Sequence, residues 1–224
     1  MEWAQQFSEV IWLDSNAYPH LHSTFDAILA VDALVRIKTD THNAFRILQG
    51  FRKDINDWVF GYLSYDMKND IESLSSRNKD ELGFPDMHFF QPKKIIFVKG
   101  NKVTFCYPSM FYGEVAGDFH QIISFKSSSS EKSDPQSQLK ITARLQKNEY
   151  IARIQEILAQ IQHGNIHEAN FCQEFYAREA IIDPLATYKK LNTISLAPFS
   201  VYLKLEDHYL LSASPERYLK KEKS

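Results

Sequence analysis

Cysteine is scarce in this chain, with only Cys106 and Cys172 among 224 residues. The pair makes no metal or redox motif and no disulfide framework, which points to a reducing cytoplasm. Glycine and proline are few, seven and eight, so a collagen-like or broadly low-complexity chain is excluded. No apolar run approaches the ~20 residues that span a bilayer, so no membrane partner is expected. Met1-Glu2-Trp3 opens without the basic and apolar segments of a secretory signal. The formal charge is −2, which leaves no basic field for nucleic acid. A glycine-rich phosphate loop is missing too, so no nucleotide cofactor is expected. Ser15, Ser195 and Ser200 lie in no nucleophile-elbow pattern.

What is present is an ordinary soluble composition, 44% hydrophobic and 24% charged, long enough for a buried core. Val10 to Leu13 is a short apolar run that reads as a buried strand, closed by the polar turn set Asp14-Ser15-Asn16. Phe25 to Val35 reads as a strand or strand pair. A helix is predicted from Thr41-His42-Asn43 to about Asp57, with Phe45, Leu48 and Phe51 on one face. Val59 to Tyr65 returns to strand, and Gly61 within it marks a bulge or a close backbone approach. The polar stretch from Asp66 to Glu81 reads as a helix or a long loop. Lys94–Val98 and Lys102–Tyr107 flank Lys99-Gly100-Asn101, the strongest hairpin signal in the chain.

Ser127 to Pro135 is polar and serine-rich and buries nothing. It divides the chain into 1–123, a linker or surface loop over 124–138, and 139–224. Beyond it Tyr150, Ile151, Ile154, Ile157, Leu158 and Ile161 define an amphipathic helix. Asn148 is its expected N-cap, and Gly164 its C′ residue. A strand over Ala169–Glu179 follows, then a helix capped by Asp183 with Pro184 at its first position. Strands at Phe199–Leu205 and Tyr209–Ser212 close the chain. Strands and helices mix without strict alternation, so the fold class is α+β.

Individual side chains carry weak chemical signals. His163 and His167 are four apart, but Gly164 and Asn165 break the helix that would align them, so solvated histidines are expected rather than a metal site. Cys172, in an apolar strand, reads as a buried structural thiol. Glu216 follows a proline at a strand's end. It is either a turn carboxylate in solvent or, held beside an apolar wall, an acid with a raised pKa. Glu168 poses the same choice, and strand alternation puts it on one face with Asn170 and Cys172.

The order and wording of several segments resemble the chorismate-utilising enzymes, and within them the aminodeoxychorismate synthase component I group. Gly164 to Phe175 looks like the family's helix-exit strand. Ala197-Pro198-Phe199-Ser200 looks like that group's tract before the last hairpin, where anthranilate synthases carry Asn-Pro-Ser-Pro-Tyr-Met. Ser214-Pro215-Glu216-Arg217 is similar to the segment whose glutamate protonates the departing C4 hydroxyl of chorismate. Trp12-Leu13-Asp14-Ser15, Phe25-Asp26 and Gly61-Tyr62-Leu63-Ser64-Tyr65-Asp66 match in the front half.

The resemblance implies a layered β-sandwich with helices packed outside, incomplete in this chain, and Glu216 as the catalytic acid. It makes Glu168 a substrate-pocket candidate, standing where water-adding relatives have lysine and aminating ones glutamine. It also implies an amino-acid (tryptophan-like) pocket lined by Ser15, His22, Ser23, Thr24, Phe25, Pro198, Phe199 and Ser200; equally, these residues could pack a core between sheets. Thr24 stands where a related enzyme has arginine. The implied partners are chorismate, ammonia and a separate glutamine amidotransferase subunit, and the implied cofactor is Mg2+, with ligands expected beyond residue 224. The family's adduct-forming lysine would lie there too, so this portion alone is expected to be inactive.

Overall fold

The computed structural model describes residues 1–18, 25–76, 78–125 and 139–221. In chain order the strands and helices are β1 (Glu9–Asp14), β2 (Ala27–Thr39), α1 (Ala44–Ile55), β3 (Phe60–Leu63), β4 (Met87–Lys99), β5 (Lys102–Cys106), α2 (Val115–Ser124), β6 (Thr142–Ala143), α3 (Lys147–Gln162), β7 (Phe175–Tyr176), α4 (Pro184–Ser195), β8 (Phe199–Leu205) and β9 (His208–Ser214). Short 3-10 turns stand at Glu2–Gln6, Tyr65–Asp70 and Ser109–Glu114. The class is α+β, as the pattern predicts.

The chain divides into two compact units, Met1–Ser127 with Asp183–Ser224, and Ser128–Ile182. Residues 183–224 rejoin the front of the chain because β8 pairs along the whole of β1, from Glu9↔Leu205 to Asp14↔Ser200. The predicted serine-rich linker lies mostly outside the described residues.

The larger unit is one antiparallel sheet of seven strands in the order β3-β4-β2-β1-β8-β9, with β5 added to β4. Period-2 alternation sends Val10, Leu29, Val31, Ile96 and Tyr202 to one face, where Trp3, Ala4, Leu185 and Tyr188 cover them. The opposite face carries Ile11, Ala30, Phe60, Phe90, Ile95, Leu203 and Leu205. Phe60 and Leu203 belong to one cluster although β3 and β8 stand four places apart in the sheet. The sheet therefore curls. Its register with β4 shifts between Ala33 and Val35, beside Asp32 at φ +64°, and a bulge of that kind increases local twist. The curl brings the loop after β3 to β9: Phe84 packs edge-on against Tyr62 (5.8 Å) and His208 (4.6 Å), and His208 Nε2 meets the Gly83 carbonyl at 3.0 Å.

Local chemistry explains most of the elements. The β4–β5 hairpin turns at Gly100 and Asn101, with Gly100 alone at positive φ (+52°), as in a turn with glycine at its first central position. Asp183 accepts a hydrogen bond from the Ala186 amide at 3.0 Å and Pro184 opens α4. Asp118 of α2, itself buried, takes the Lys94 ammonium at 2.6 Å and the Tyr107 hydroxyl at 2.9 Å. Burial disfavours the Lys94 charge, but Asp118 and Glu114 outweigh it and hold the ammonium above its usual pKa. This cluster fastens α2 to β4.

The smaller unit departs from expectation at the start of α3, in the strand that follows it and at Cys172. The N-cap of α3 is Gln146 rather than Asn148, since its extended φ/ψ (−72°, 155°) ends the incoming strand-like segment. The C-terminus closes as a Schellman motif, with the Gly164 amide on Ile161 (3.0 Å) and the Asn165 amide on Gln160 (3.0 Å). The predicted strand over 169–179 shrinks to Phe175–Tyr176, paired with Thr142–Ala143. Upstream of it the Gln173 side chain substitutes for a ladder, receiving the Leu145 amide (3.2 Å) and donating to the Leu145 carbonyl (2.8 Å). Cys172 is consequently exposed, not buried, because nothing among the described residues pairs along that stretch. Phe171 does turn inward, its ring 5.3 Å from Tyr150 on α3.

Two sites make the packing testable. Gly61 lies so close to β4 that a Cβ there would meet the His88 carbonyl oxygen at 2.0 Å. Gly61→Ala should cost at least about 2 kcal/mol in urea unfolding. Gly50→Ala, in α1 with open space around it, should be neutral or stabilising by up to ~1 kcal/mol; equal effects would contradict the close approach.

His88 is buried and its Nε2 has no hydrogen-bond partner among the described residues. Burial chiefly, with Lys38 and Arg36 adding and Glu206 opposing, lowers its pKa to about 4. The unfolded chain therefore binds the extra proton between pH 6.5 and 4, so stability should fall on acidification through that window, by up to about 3 kcal/mol. The measurement is denaturation at a series of pH values. The native chain should lose more over this window than His88→Leu, and parallel curves would refute the assignment.

Candidate functional site

A cleft sits over the ends of three neighbouring strands of the larger unit. β1 lies between β2 and β8, with Leu13 opposite both Ile28 and Val201, and Asp14 opposite both Ala27 and Ser200. Past this row the chain enters or leaves the sheet. The result is an open cleft of about 290 Å³ lined by residues 13–15, 25–28 and 198–201, with Arg217 and Lys220. That volume is at the small end of small-molecule sites.

The floor is apolar. Leu13, Ile28 and Val201 face it as cross-strand neighbours, and Phe199, two residues before Val201, shares their side. Phe25 forms the far wall, stacked on Phe97 with centroids 4.4 Å apart and backed by Trp58 at 6.3 Å. The rim is cationic: Arg217 lies over the Phe199 ring at 5.1 Å.

The polar groups of the cleft are largely committed. Asp26 accepts the Gly100 amide at 2.6 Å and the Lys99 ammonium at 3.0 Å, in that order the main causes of a carboxyl held below its usual pKa. Asp14 accepts the Asn16 amide (2.8 Å) and the Trp12 indole N–H (3.3 Å). Ser200 is buried, with its hydroxyl 2.9 Å from the Tyr188 hydroxyl on the covered face of the sheet. Burial raises the Tyr188 pKa, so this pair stays neutral. Asn16 ties the exit of β1 to the end of α4, donating to the Ala197 carbonyl (2.7 Å) and the Asn192 side chain (2.8 Å).

Of the residues expected to form an amino-acid pocket, Ser15, Phe25, Pro198, Phe199 and Ser200 come together here. His22, Ser23 and Thr24 lie outside the described residues. The Ser200 hydroxyl points to Tyr188, so that residue offers the cleft backbone rather than a free hydroxyl. Arg217, Lys220 and Asn16 were not singled out from sequence. Asn16 stood in the polar turn after β1, and Arg217 beside Glu216, so both were visible without a reason to choose them.

The two glutamates are placed differently. Glu216 follows β9, where every residue from Pro215 to Lys221 is exposed. Its amide meets the Ser214 hydroxyl at 3.3 Å and its carbonyl accepts from the same hydroxyl at 3.0 Å. Among the described residues no element covers the turn after β9, so none supplies an apolar wall to shelter an acid. Glu168 belongs to the smaller unit and is also exposed. Among the described residues no three His, Cys, Asp or Glu side chains gather as a candidate metal site. No helix among the described residues is long and apolar enough to cross a membrane.

Comparison with known proteins gives this arrangement its context. A family profile for chorismate binding enzymes matches residues 6–224, and the chain belongs to that family. It is 28% identical over 214 residues to anthranilate synthase component 1 of Saccharolobus solfataricus, covering 91% of this chain and 47% of that protein. It is 25% identical over 185 residues to aminodeoxychorismate synthase component 1 of Escherichia coli, covering 80% and 37%. The Salmonella typhimurium protein of the same name is 24% identical over 168 residues, covering 73% and 35%. The chain thus spans between about a third and a half of these relatives. Among solved structures, anthranilate synthase component I from Streptococcus pneumoniae superposes with a TM-score of 0.68 over 89% of this chain and 53% of that one. At 18% identity that likeness is one of fold.

Proposed function

We propose that this chain is the front portion of an aminodeoxychorismate synthase component I. The whole enzyme would replace the C4 hydroxyl of chorismate with ammonia, giving 4-amino-4-deoxychorismate for para-aminobenzoate and folate synthesis. The observation that carries this reading is the Ala197-Pro198-Phe199-Ser200 tract at the entry of β8, which resembles that group and builds one wall of the cleft. The location would be cytoplasmic.

In this reading the Glu216 carboxylic acid gives its proton to the departing C4 oxygen, which leaves as water, and ammonia takes its place. Donation of that proton calls for a covering wall around the carboxyl, which this reading assigns to parts of the whole enzyme other than the described residues. In this reading Mg2+ and its ligands belong to that same part of the whole enzyme, and ammonia comes from a separate glutamine amidotransferase subunit. Glu168 remains the substrate-pocket candidate. The cleft beside β1 is read as an amino-acid pocket distinct in position from Glu216.

A second reading, anthranilate synthase component I, is favoured by the S. solfataricus relative, whose match is longer and of higher identity than the two aminodeoxychorismate synthase matches above. It would eliminate pyruvate from the same starting material. A third, a non-catalytic amino-acid-binding or interaction module, is favoured by the exposure of both glutamates.

Incubating the full-length gene product with chorismate, ammonium and Mg2+ separates the three. The expected product is 4-amino-4-deoxychorismate; anthranilate would establish the second reading and no product the third. The 224-residue chain alone should show no turnover. In the full-length protein Glu216→Gln should lower kcat by about 10²–10⁴ with the fold intact by circular dichroism. Near-normal turnover would remove Glu216 as the acid.

A further inference from the structure

Ser214 ends β9 and forms its last rung, paired with Phe199 of β8. Its hydroxyl does two things at once: it donates to the Glu216 carbonyl at 3.0 Å and accepts the Glu216 amide at 3.3 Å. Pro215 lies between them, with a ring-locked φ and no N–H to compete for the hydroxyl. The residue after Glu216 is fastened as well, since the Arg217 guanidinium lies over the Phe199 ring at 5.1 Å. Phe199 is therefore both the ladder partner of Ser214 and the seat of Arg217. The backbone of Glu216 is bracketed by two ties to this one residue of β8. Its carboxylate, by contrast, makes no hydrogen bond or ion pair among the described residues. The main chain is held and the acid is left free to meet something else.

A proton donor works only when it is held close to the productive geometry, and a misplacement of about 1 Å can cost about 10²-fold in rate. Glu216 stands in an exposed turn, where packing among the described residues does not fix it. The local clasp is what sets its backbone. We propose that Ser214 is a positioning residue for Glu216: its hydroxyl carries the register of the β8–β9 ladder to the backbone of the acid two residues on. The inference rests on the reading of Glu216 as proton donor and adds how that donor is aimed.

Consumption of chorismate by the full-length protein, with ammonium and Mg2+ supplied, is the test. Ser214→Ala should lower kcat about ten- to hundredfold and leave the KM for chorismate within about twofold. Ser214→Thr keeps the hydroxyl and should stay within about threefold of the native protein. Ser214→Val has nearly the same shape as the threonine variant without the hydroxyl, and should fall as alanine does. The threonine and valine pair decides by itself should the alanine variant fail to fold. In a Glu216→Gln background, Ser214→Ala should cost less than about twofold more, because the clasp has no acid left to aim. A merely structural loss would repeat there in full. Native kcat in Ser214→Val, or an undiminished loss in the Glu216→Gln background, overturns the positioning role while Glu216 stands as donor. No turnover by the native protein, or normal kcat in Glu216→Gln, overturns both.

Discussion

Everything placed at the cleft depends on one strand, β1, being paired on both sides. Six residues of β1 match β8 without a break, and five match β2. This ladder joins positions 9–14 to positions nearly two hundred residues later. A slip of one residue would turn Leu13 away from the cleft and point Asp14 and Trp12 toward it. The buried faces forbid that: Val10, Trp12 and Tyr202 must meet Tyr188 and Leu185 on one side, and Ile11 must meet Leu203 on the other. Register here is a hydrophobic constraint before it is a functional one.

The two units contrast in how they satisfy their backbone. In the larger one, long ladders saturate β1, β2 and β4, and side chains fasten the ends, as Asp26 does for the hairpin turn and Asn16 for the start of β8. In the smaller one a 16-residue helix has no buried residue, and Ile151 and Leu158 are 42% and 50% exposed. Its apolar stripe is present and only half covered. The extended segment after it relies on Gln173 and on the Arg144–Glu174 pair (2.8 Å) rather than on a full ladder. Less apolar burial and fewer ladder bonds mean lower local stability, so this unit should open before the sheet does.

Burial also decides which ionisable groups have unusual chemistry. His88, sealed between β3 and β2, is kept neutral; Lys94, equally buried, is kept charged because Asp118 and Glu114 meet it. Glu216, which the family resemblance marks for proton transfer, has no such surroundings among the described residues. A residue type in a motif names a possible role, and the dielectric around it determines whether the role can be performed.

The sequence by itself determined the elements whose signals are local. The Gly100 hairpin, the Asp183-Pro184 helix start, the α3 stripe ending at Gly164 and the close approach at Gly61 all follow from φ, capping or periodicity within a few residues. The segment resemblances likewise pointed to the family. The tertiary structure alone decided that residues 183–224 rejoin the front of the chain, that Cys172 is exposed, that the Ser200 hydroxyl faces Tyr188, and that Arg217 stands over Phe199 at the cleft. These are pairings between positions far apart in the chain. A local pattern can say that a strand will seek a partner, but which partner it finds depends on the summed burial of every face at once.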